Sequence, residues 1–203
     1  MRIVKYLESL MARPRKFDEE EALKAAMGVF WRHGYDATTY KMLSEATGVD
    51  VKGLSNVFGS KEEFFDKVTE AYHAMARGNV SMMFQEPSVD AIIAFFKRMR
   101  QAPASEDDPS NFGCLFVNTI FELQRIQPNI RKRVDAYREM WLDVFGRSLR
   151  ASNIPNASER AEFLVGALWG ALSEIRLART KTAAAPLMAI AIETVEQWRK
   201  EVE

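Results

Sequence analysis

Two short helical segments meet at a glycine in the sequence TTYKMLSEATGVDVKGLSNVF, which occupies residues 38–58. Gly48 can adopt the left-handed backbone conformation that ends a helix, so the second segment leaves at a sharp angle. Apolar side chains at helical spacing are expected to fix this angle: Leu43, Ala46, Val49, Leu54 and Phe58. The pattern is typical of a helix-turn-helix, although helix–glycine–helix connections also occur in ordinary bundles.

The charges of the chain balance, with 28 basic and 28 acidic side chains among 203 residues. A net charge of zero argues against a polybasic protein that coats nucleic acid, but it is compatible with a locally basic surface. Residues 12–17 carry three basic side chains and no acid, and residues 38–61 carry three lysines against two acids. We therefore expect any DNA binding to depend on geometry and dimerisation more than on bulk charge.

The remaining sequence predicts an all-α protein, because apolar residues recur at helical spacing and no alternating strand pattern is found. Besides a second helix that starts at Thr38 or Thr39 and ends at Gly48, we expect helices over 18–33, 51–57, 60–77, 88–101, 113–125, 129–152, 157–179 and 186–202, and a solvated loop over 102–111. Three helix starts have capping-box spacing: Asp18 with Glu21, Ser60 with Glu63, and Asn156 with Glu159.

Cys114 is the only cysteine, so no intramolecular disulfide can form, and a reducing cytoplasm is the expected setting. The longest uncharged runs, such as 109–121 and 163–173, are shorter than the roughly 20 residues that span a bilayer, so no membrane partner is expected. Enzymatic activity is not expected either, because the sequence has no glycine-rich phosphate loop, nucleophile elbow or pair of metal-binding histidines. His33 and His73 are interpreted as structural, and no cofactor or metal is expected.

Four motifs follow one another in order along the first third of the chain: RPRKFD at 13–18, FWRHGYDATT at 30–39, ATGV at 46–49 and GLSNVFGSKEE at 53–63. Together they resemble the DNA-binding domain of the TetR family, and the run GCLFVNT at 113–119 resembles the ligand domain of such regulators. The resemblance implies a regulator, usually a repressor, that binds double-stranded operator DNA as a homodimer and is released by a small-molecule effector. The expected divisions are an N-terminal extension (1–11), a helix-turn-helix domain (12–60) and a ligand-binding and dimerisation domain (61–203).

Candidate DNA contacts come partly from the residues and partly from the resemblance. Thr38 and Thr39 stand at a helix N-terminus, where hydroxyl and N–H groups can meet a phosphate. The resemblance implies phosphate contacts for Thr39, Tyr40 and Lys61, a base or backbone contact for Lys41, and a place at the major groove for Val51, Lys52 and Gly53. Ser55 stands where the family usually has a phosphate-contacting tyrosine, which puts that contact in doubt. Asn56 either reads an adenine edge or is a solvated helix position.

The N-terminal residues carry a separate expectation. Residues 1–10 do not belong to the resemblance, and they represent either a mis-assigned upstream start or a genuine extension. Arg13, Arg15 and Lys16 form a basic arm that either approaches the minor groove or is a solvated tail.

Candidate ligand and dimer residues lie in the C-terminal helices. The ligand candidates are large apolar side chains with a few polar ones among them, and each has an alternative role in the core or at the surface: Phe96, Met99, Cys114, Asn118, Phe121, Tyr137, Trp141, Phe145 and Trp169. Cys114 is either a thiol sensor activated by a helix N-terminus or an inert buried cysteine. The dimer candidates are small or apolar residues of the last two helices: Gly166, Gly170, Ile190, Thr194 and Trp198.

The alternative function is a small-molecule-binding helical protein, or a sensor that acts through Cys114, with weakened or lost operator binding. If the leading hypothesis holds, the resemblance implies a four-helix bundle between two subunits. Such a symmetric dimer requires a near-palindromic operator.

Overall fold

The computed structural model describes residues 17–101, 108–120, 122 and 128–202. Within these ranges the backbone contains no strand, which confirms the all-α prediction, and no helix is long and apolar enough to cross a membrane. The α-helices are α1 (Glu19–Ala37), α2 (Tyr40–Thr47), α3 (Val51–Phe58), α4 (Lys61–Met83), α5 (Val89–Gln101), α6 (Leu115–Thr119), α7 (Pro128–Ala151), α8 (Ala157–Ala178) and α9 (Ala185–Lys200). Short 3-10 turns cover Pro109–Phe112 and Lys181–Ala184.

Local capping explains where several of these helices begin. The Asp18 carboxylate accepts hydrogen bonds from the amides of Glu20 and Glu21, at 2.8 and 3.2 Å. Ser60 and Glu63 form a reciprocal capping box, in which each side chain accepts from the other residue's amide. Gly34, at φ 80°, interrupts α1, so the predicted stop lies inside the helical segment and a short turn follows it.

The capping box predicted at Asn156 is wrong. Asn156 adopts the left-handed conformation, at φ 52°, and its side chain makes no capping hydrogen bond. The preceding turn folds tightly onto the end of α7, where the amide of Ile154 donates to the carbonyl of Leu149 at 3.0 Å. Asparagine tolerates the left-handed region better than most residues, so here it supplies the turn instead of the cap.

Three further boundaries differ from the sequence prediction. The helix expected over 113–125 is described only as the short α6, and the expected loop over 102–111 ends in a 3-10 turn. Asn111 in that turn is buried rather than solvated. Helix α4 extends to Met83, beyond the predicted end at residue 77.

Helix α4 joins the two halves of the fold. Its first turn packs against α1 and α3, where the rings of Phe58 and Phe64 stack with centroids 4.0 Å apart and Phe30 lies against Phe65 at 4.9 Å. Its later turns pack against α7, while α8 packs on α7 and α9, and α9 packs on α5. The buried apolar residues form one continuous cluster, so the N-terminal helices and the C-terminal half share a single hydrophobic core.

Candidate nucleic-acid interface

Helices α2 and α3 form the predicted helix-turn-helix, and three local features hold it. The Thr39 hydroxyl caps α2 by accepting from the amide of Met42 at 3.3 Å. Gly48 ends α2 in the left-handed conformation at φ 69°. The Asp50 carboxylate caps α3 by accepting from the amide of Gly53 at 2.8 Å. Side chains that need no long-range contact therefore set both ends of the turn.

The inner faces of both helices are buried, and this fixes how α3 is presented. Leu43 and Leu54 are fully buried, and Phe58 lies against α4. The Ser44 hydroxyl donates to the carbonyl of Val49 at 2.6 Å and so ties α2 to the turn. Ala46, expected among the apolar contacts, is exposed instead.

One face of α3 is open to solvent along its length. Val51, Lys52, Ser55 and Asn56 are exposed, with Val51 at 46%. The i, i+4 pairs 51/55 and 52/56 place these four side chains on the same side of the helix. The Ser55 hydroxyl donates to the carbonyl of Lys52 at 3.2 Å, so its short side chain stays close to the helix.

Gly53 and Lys41 complete this outer surface. A Cβ atom on Gly53 would lie 3.0 Å from the side chain of Val49, so the position is tight for a larger residue. The Lys41 side chain is exposed, and its ammonium lies 3.9 Å from the Glu45 carboxylate. A single exposed pair at this distance leaves Lys41 able to reach other anions.

Three other predicted DNA contacts are engaged inside the protein. Thr38 is 1% exposed, and its hydroxyl donates to the carbonyl of Gly34 at 2.6 Å. The Tyr40 hydroxyl donates to the carbonyl of Gly59, and burial together with nearby Glu63 raises the tyrosine pKa. The Lys61 ammonium donates to the carbonyls of residues 35, 36 and 38. Thr39 is therefore the threonine that faces outward.

Arg13, Arg15 and Lys16, together with the predicted extension over 1–11, lie outside the described residues. The same holds for Phe121 among the ligand candidates.

The helix-turn-helix also matches a known family by sequence. Residues 22–68 match the family model described as bacterial regulatory proteins, tetR family. Residues 22–68 therefore carry the N-terminal domain of that family. Among its relatives, the HTH-type transcriptional repressor ComR of Escherichia coli (strain K12) is 36% identical over 109 residues, which cover 52% of this chain and 51% of ComR. The HTH-type transcriptional repressor AcnR of Corynebacterium glutamicum is 26% identical over 125 residues, covering 61% of this chain and 56% of AcnR. The chain thus spans about half the length of these curated relatives.

Solved structures of TetR-family regulators share the fold. A cysteine mutant of the regulator CifR, complexed with 26bp double-strand operator DNA, has a TM-score of 0.72 at 23% identity over 89% of this chain and 98% of that chain. A regulator from Agrobacterium tumefaciens has a TM-score of 0.75 at 17% identity over 86% of this chain and 95% of that chain. At these identities the likeness shows that this chain has the same fold.

Five of the predicted ligand residues converge in the C-terminal half of the chain. The Cys114 sulfur, 2% exposed, lies 3.4 Å from the Tyr137 hydroxyl, and the rings of Tyr137, Trp141 and Phe145 follow one another at 6.3 and 5.4 Å. Phe96 stacks on Phe145 at 5.9 Å. We call these five residues, together with Tyr72 and Phe116, the aromatic cluster.

Tyr72 belongs to this cluster although no motif in the sequence pointed to it. Its hydroxyl lies 3.1 Å from the Cys114 sulfur, and its ring packs on Phe116 at 5.1 Å. Burial raises the pKa of both Tyr72 and Tyr137 well above the usual value, with Cys114 adding to the effect. Both hydroxyls therefore remain protonated and available as donors.

The other described ligand candidates do not join the cluster by any recorded contact. The Asn118 amide donates to the carbonyl of Phe112 at 2.8 Å and braces that turn. Met99 and Trp169 are partly buried against the core. Packing accounts for Met99 and a local hydrogen bond for Asn118, whereas the indole N–H of Trp169 is buried with no hydrogen-bond acceptor among the described residues.

An exposed apolar face runs across α8 and α9. Phe163 and Ile190 are 49% and 55% exposed, and nothing lies within 4 Å of a Cβ placed on Gly166. Trp198 packs edge-on against Phe163 at 5.9 Å, and the Thr194 hydroxyl donates to the carbonyl of Ile190. Gly170 serves a different purpose, because a Cβ there would lie 3.2 Å from Leu187 of α9 within the same chain.

Proposed function

We propose that the chain is a transcriptional repressor that binds a near-palindromic operator as a homodimer and is released by a small molecule. The observation that carries this proposal is the solvent-exposed face of α3, held on a buried support and bearing Lys52, Ser55 and Asn56. A B-DNA major groove is wide enough to admit an α-helix presented in this way. The similarity to the repressors ComR and AcnR supports repression as the output.

Each exposed side chain of α3 has a role that suits its chemistry. Asn56 can make a bidentate contact with the N6 and N7 atoms of adenine, and Lys52 can reach guanine or a backbone phosphate. Val51 offers an apolar contact for a thymine methyl group. Thr39 stands at the N-terminus of α2, where its neighbouring N–H groups can approach a phosphate.

The exposed apolar face of α8 and α9 supports homodimerisation. Phe163 and Ile190 are large apolar side chains open to water, and Gly166 leaves room for the close approach of another helix. Large apolar side chains exposed on neighbouring helices are typical of an interface. A two-fold axis through this face would give the dimer two copies of α3, and the half-sites would lie about 10 base pairs apart.

The aromatic cluster supports an effector site and indicates the chemistry of the effector. The Trp141 indole N–H is buried and makes no hydrogen bond of normal geometry among the described residues. The Cys114 thiol donates to the Tyr137 hydroxyl at 3.4 Å, and the Tyr72 hydroxyl lies 3.1 Å from the same sulfur. Thiol sulfur is a weak acceptor, so donors outnumber good acceptors in this cluster. An uncharged, flat molecule with an acceptor oxygen such as a carbonyl would satisfy them.

A matched pair of probes tests the effector chemistry. Acetophenone and ethylbenzene have similar shapes, but only acetophenone carries a carbonyl oxygen. Acetophenone is expected to quench tryptophan fluorescence at lower concentration, and a Tyr137→Phe variant is expected to lose that difference. Equal binding of the two probes by the unmodified protein would contradict the proposed site.

A gel shift against the DNA upstream of the chain's own gene tests the function. We expect specific binding whose affinity falls steeply with salt, and Lys52→Ala is expected to reduce the slope of log K against log salt by about 0.9. Asn56→Ala is expected to cost about 1–3 kcal/mol of base discrimination. Lys132→Ala, at an exposed position of α7, is the matched control and should change neither quantity. Sequence-independent binding, or none, would instead favour a helical small-molecule-binding protein without an operator.

A further inference from the structure

The C-terminal end of α1, where Gly34 interrupts the helix and the chain turns towards α2, is held by side chains from distant parts of the chain. We define this segment, residues 31–38, as the α1 turn. Gly34 breaks the helix at φ 80°, so neighbouring carbonyl and amide groups lose their helical partners. Buried or half-buried backbone groups of this kind require other partners.

Two cations bind the carbonyls of the α1 turn. The Arg176 guanidinium donates to the carbonyls of Trp31 and Arg32 at 3.2 and 2.7 Å. The Lys61 ammonium donates to the carbonyls of residues 35, 36 and 38 at 3.0, 3.3 and 3.0 Å. Five carbonyls within this eight-residue segment thus accept hydrogen bonds from side chains of other helices, two from Arg176 of α8 and three from Lys61 of α4.

One carboxylate binds the amides of the same turn. The two carboxylate oxygens of Glu122 accept from the amides of Tyr35 and Asp36, at 2.9 and 3.4 Å. A hydrogen bond to a charged acceptor is stronger than one between neutral groups. Glu122 and Arg176 belong to the C-terminal half, whereas the turn leads directly into the helix-turn-helix.

A third contact links the α1 turn to the aromatic cluster. The indole N–H of Trp31 donates to the carbonyl of Gly113 at 3.0 Å, and Cys114 follows immediately in the chain. Gly113 has φ 76°, and a Cβ there would collide with the carbonyl oxygen of Leu172 in α8. Gly113 therefore contacts both α1 and α8, and it connects the aromatic cluster to the α1 turn through Cys114 on one side and Trp31 on the other.

We propose that Glu122 and Arg176 are positioning residues for operator binding, which set the orientation of the helix-turn-helix relative to the C-terminal half without touching DNA. This inference rests on the proposed function. Both residues are inferred to raise the affinity for the specific operator by holding the two α3 helices in the orientation that fits it. Arg176 is half-buried and already hydrogen-bonded to two carbonyls, which distinguishes it from an arginine that reaches a phosphate.

Operator binding by the full-length protein and four variants tests this assignment. Arg176→Gln and Glu122→Ala are expected to weaken specific binding about tenfold or more, within the roughly 5- to 150-fold range of coupling between sites. The salt slope and the affinity for unrelated DNA are expected to stay unchanged. Arg176→Lys and Glu122→Gln each keep part of the hydrogen bonding and should recover part of the loss. Arg147→Gln removes an exposed pair with Asp143 at 2.9 Å and serves as the control.

The outcomes separate this inference from the proposed function. If the unmodified protein shows no specific binding, the proposed function fails; if it binds and all four variants bind equally well, only the positioning role fails. A salt slope reduced by about 0.9 in Arg176→Gln would make Arg176 a phosphate contact and overturn the assignment. Hydrogen exchange gives a readout that needs no DNA: the amides of residues 35 and 36 should exchange faster in Glu122→Ala while those of α9 do not. Unchanged exchange at the α1 turn would also overturn it.

Discussion

Lys61 offers the sharpest test of how the helix-turn-helix is held, because sequence and structure give it different roles. By resemblance it is a DNA-backbone contact, yet its ammonium donates to three carbonyls of the α1 turn and lies 4.4 Å from the centre of the Tyr35 ring. Lys61→Met keeps a chain of similar length and removes the charge and all the donors. The variant therefore isolates the internal contacts.

The expected loss of stability follows from these contacts. Hydrogen bonding to a charged group contributes about 1.5–3 kcal/mol, and an exposed cation–π contact contributes about 0.5–1 kcal/mol. The three carbonyls share one partly exposed ammonium and regain some water in the variant, so we expect a net loss of about 2–3 kcal/mol. For a chain of this size, 1 kcal/mol corresponds to roughly 2–4 °C, which predicts a Tm lower by about 4–12 °C.

Urea unfolding and a salt titration of operator binding measure the two roles side by side. We expect a lower unfolding midpoint for Lys61→Met with an unchanged salt slope, whereas Lys132→Ala should change neither the midpoint nor the slope. If Lys61→Met had unaltered stability and a salt slope reduced by about 0.9, Lys61 would be a phosphate contact and the internal role would be refuted.

Three further expectations concern the C-terminal half. Ile190→Glu places a charge on the exposed apolar face and should yield a monomer by sedimentation, whereas Met82→Glu, at another exposed apolar position, should leave the dimer intact; dimeric Ile190→Glu would exclude this face. Cys114 should react slowly with iodoacetamide in the native protein because its sulfur is buried, and fast stoichiometric reaction coupled to operator release would support the thiol-sensor hypothesis instead. Burial and two nearby arginines lower the pKa of His73 below its usual 6.5, so the unfolded chain binds its proton more readily. The contribution of the neutral histidine to stability should therefore be present above about pH 6.5 and be lost as the pH falls below it, so urea unfolding of His73→Gln should show a shallower decline below about pH 6.5.

Local signals in the sequence were sufficient for the helix-turn-helix. Asp18 and Ser60 cap helices through groups two or three residues away, and the conformational freedom of Gly48 is a property of the residue itself. Because nothing distant takes part, spacing alone locates these features. The same reasoning failed at Asn156, where a turn closed on Leu149 competes with the cap.

Choices that depend on distant partners could not be made from the sequence. Two adjacent threonines, Thr38 and Thr39, suit an N-cap equally well, and only the break at Gly34 explains why Thr38 turns inward. The contact between Tyr72 and Cys114 joins residues 42 positions apart, and that between Glu122 and Tyr35 joins residues 87 positions apart. No periodicity within one helix can indicate such contacts.

Because the net charge of the chain is zero, non-specific attraction to DNA is expected to be weak, so sequence selectivity is the property to measure. Selection of bound DNA from a random library at about 0.15 M salt tests it most directly, with unselected DNA as the competitor. We expect enrichment of a near-palindrome whose half-sites are about 10 base pairs apart, and loss of that enrichment in Ile190→Glu. Recovery of unenriched sequences by the dimeric protein would contradict the claim that α3 reads an operator.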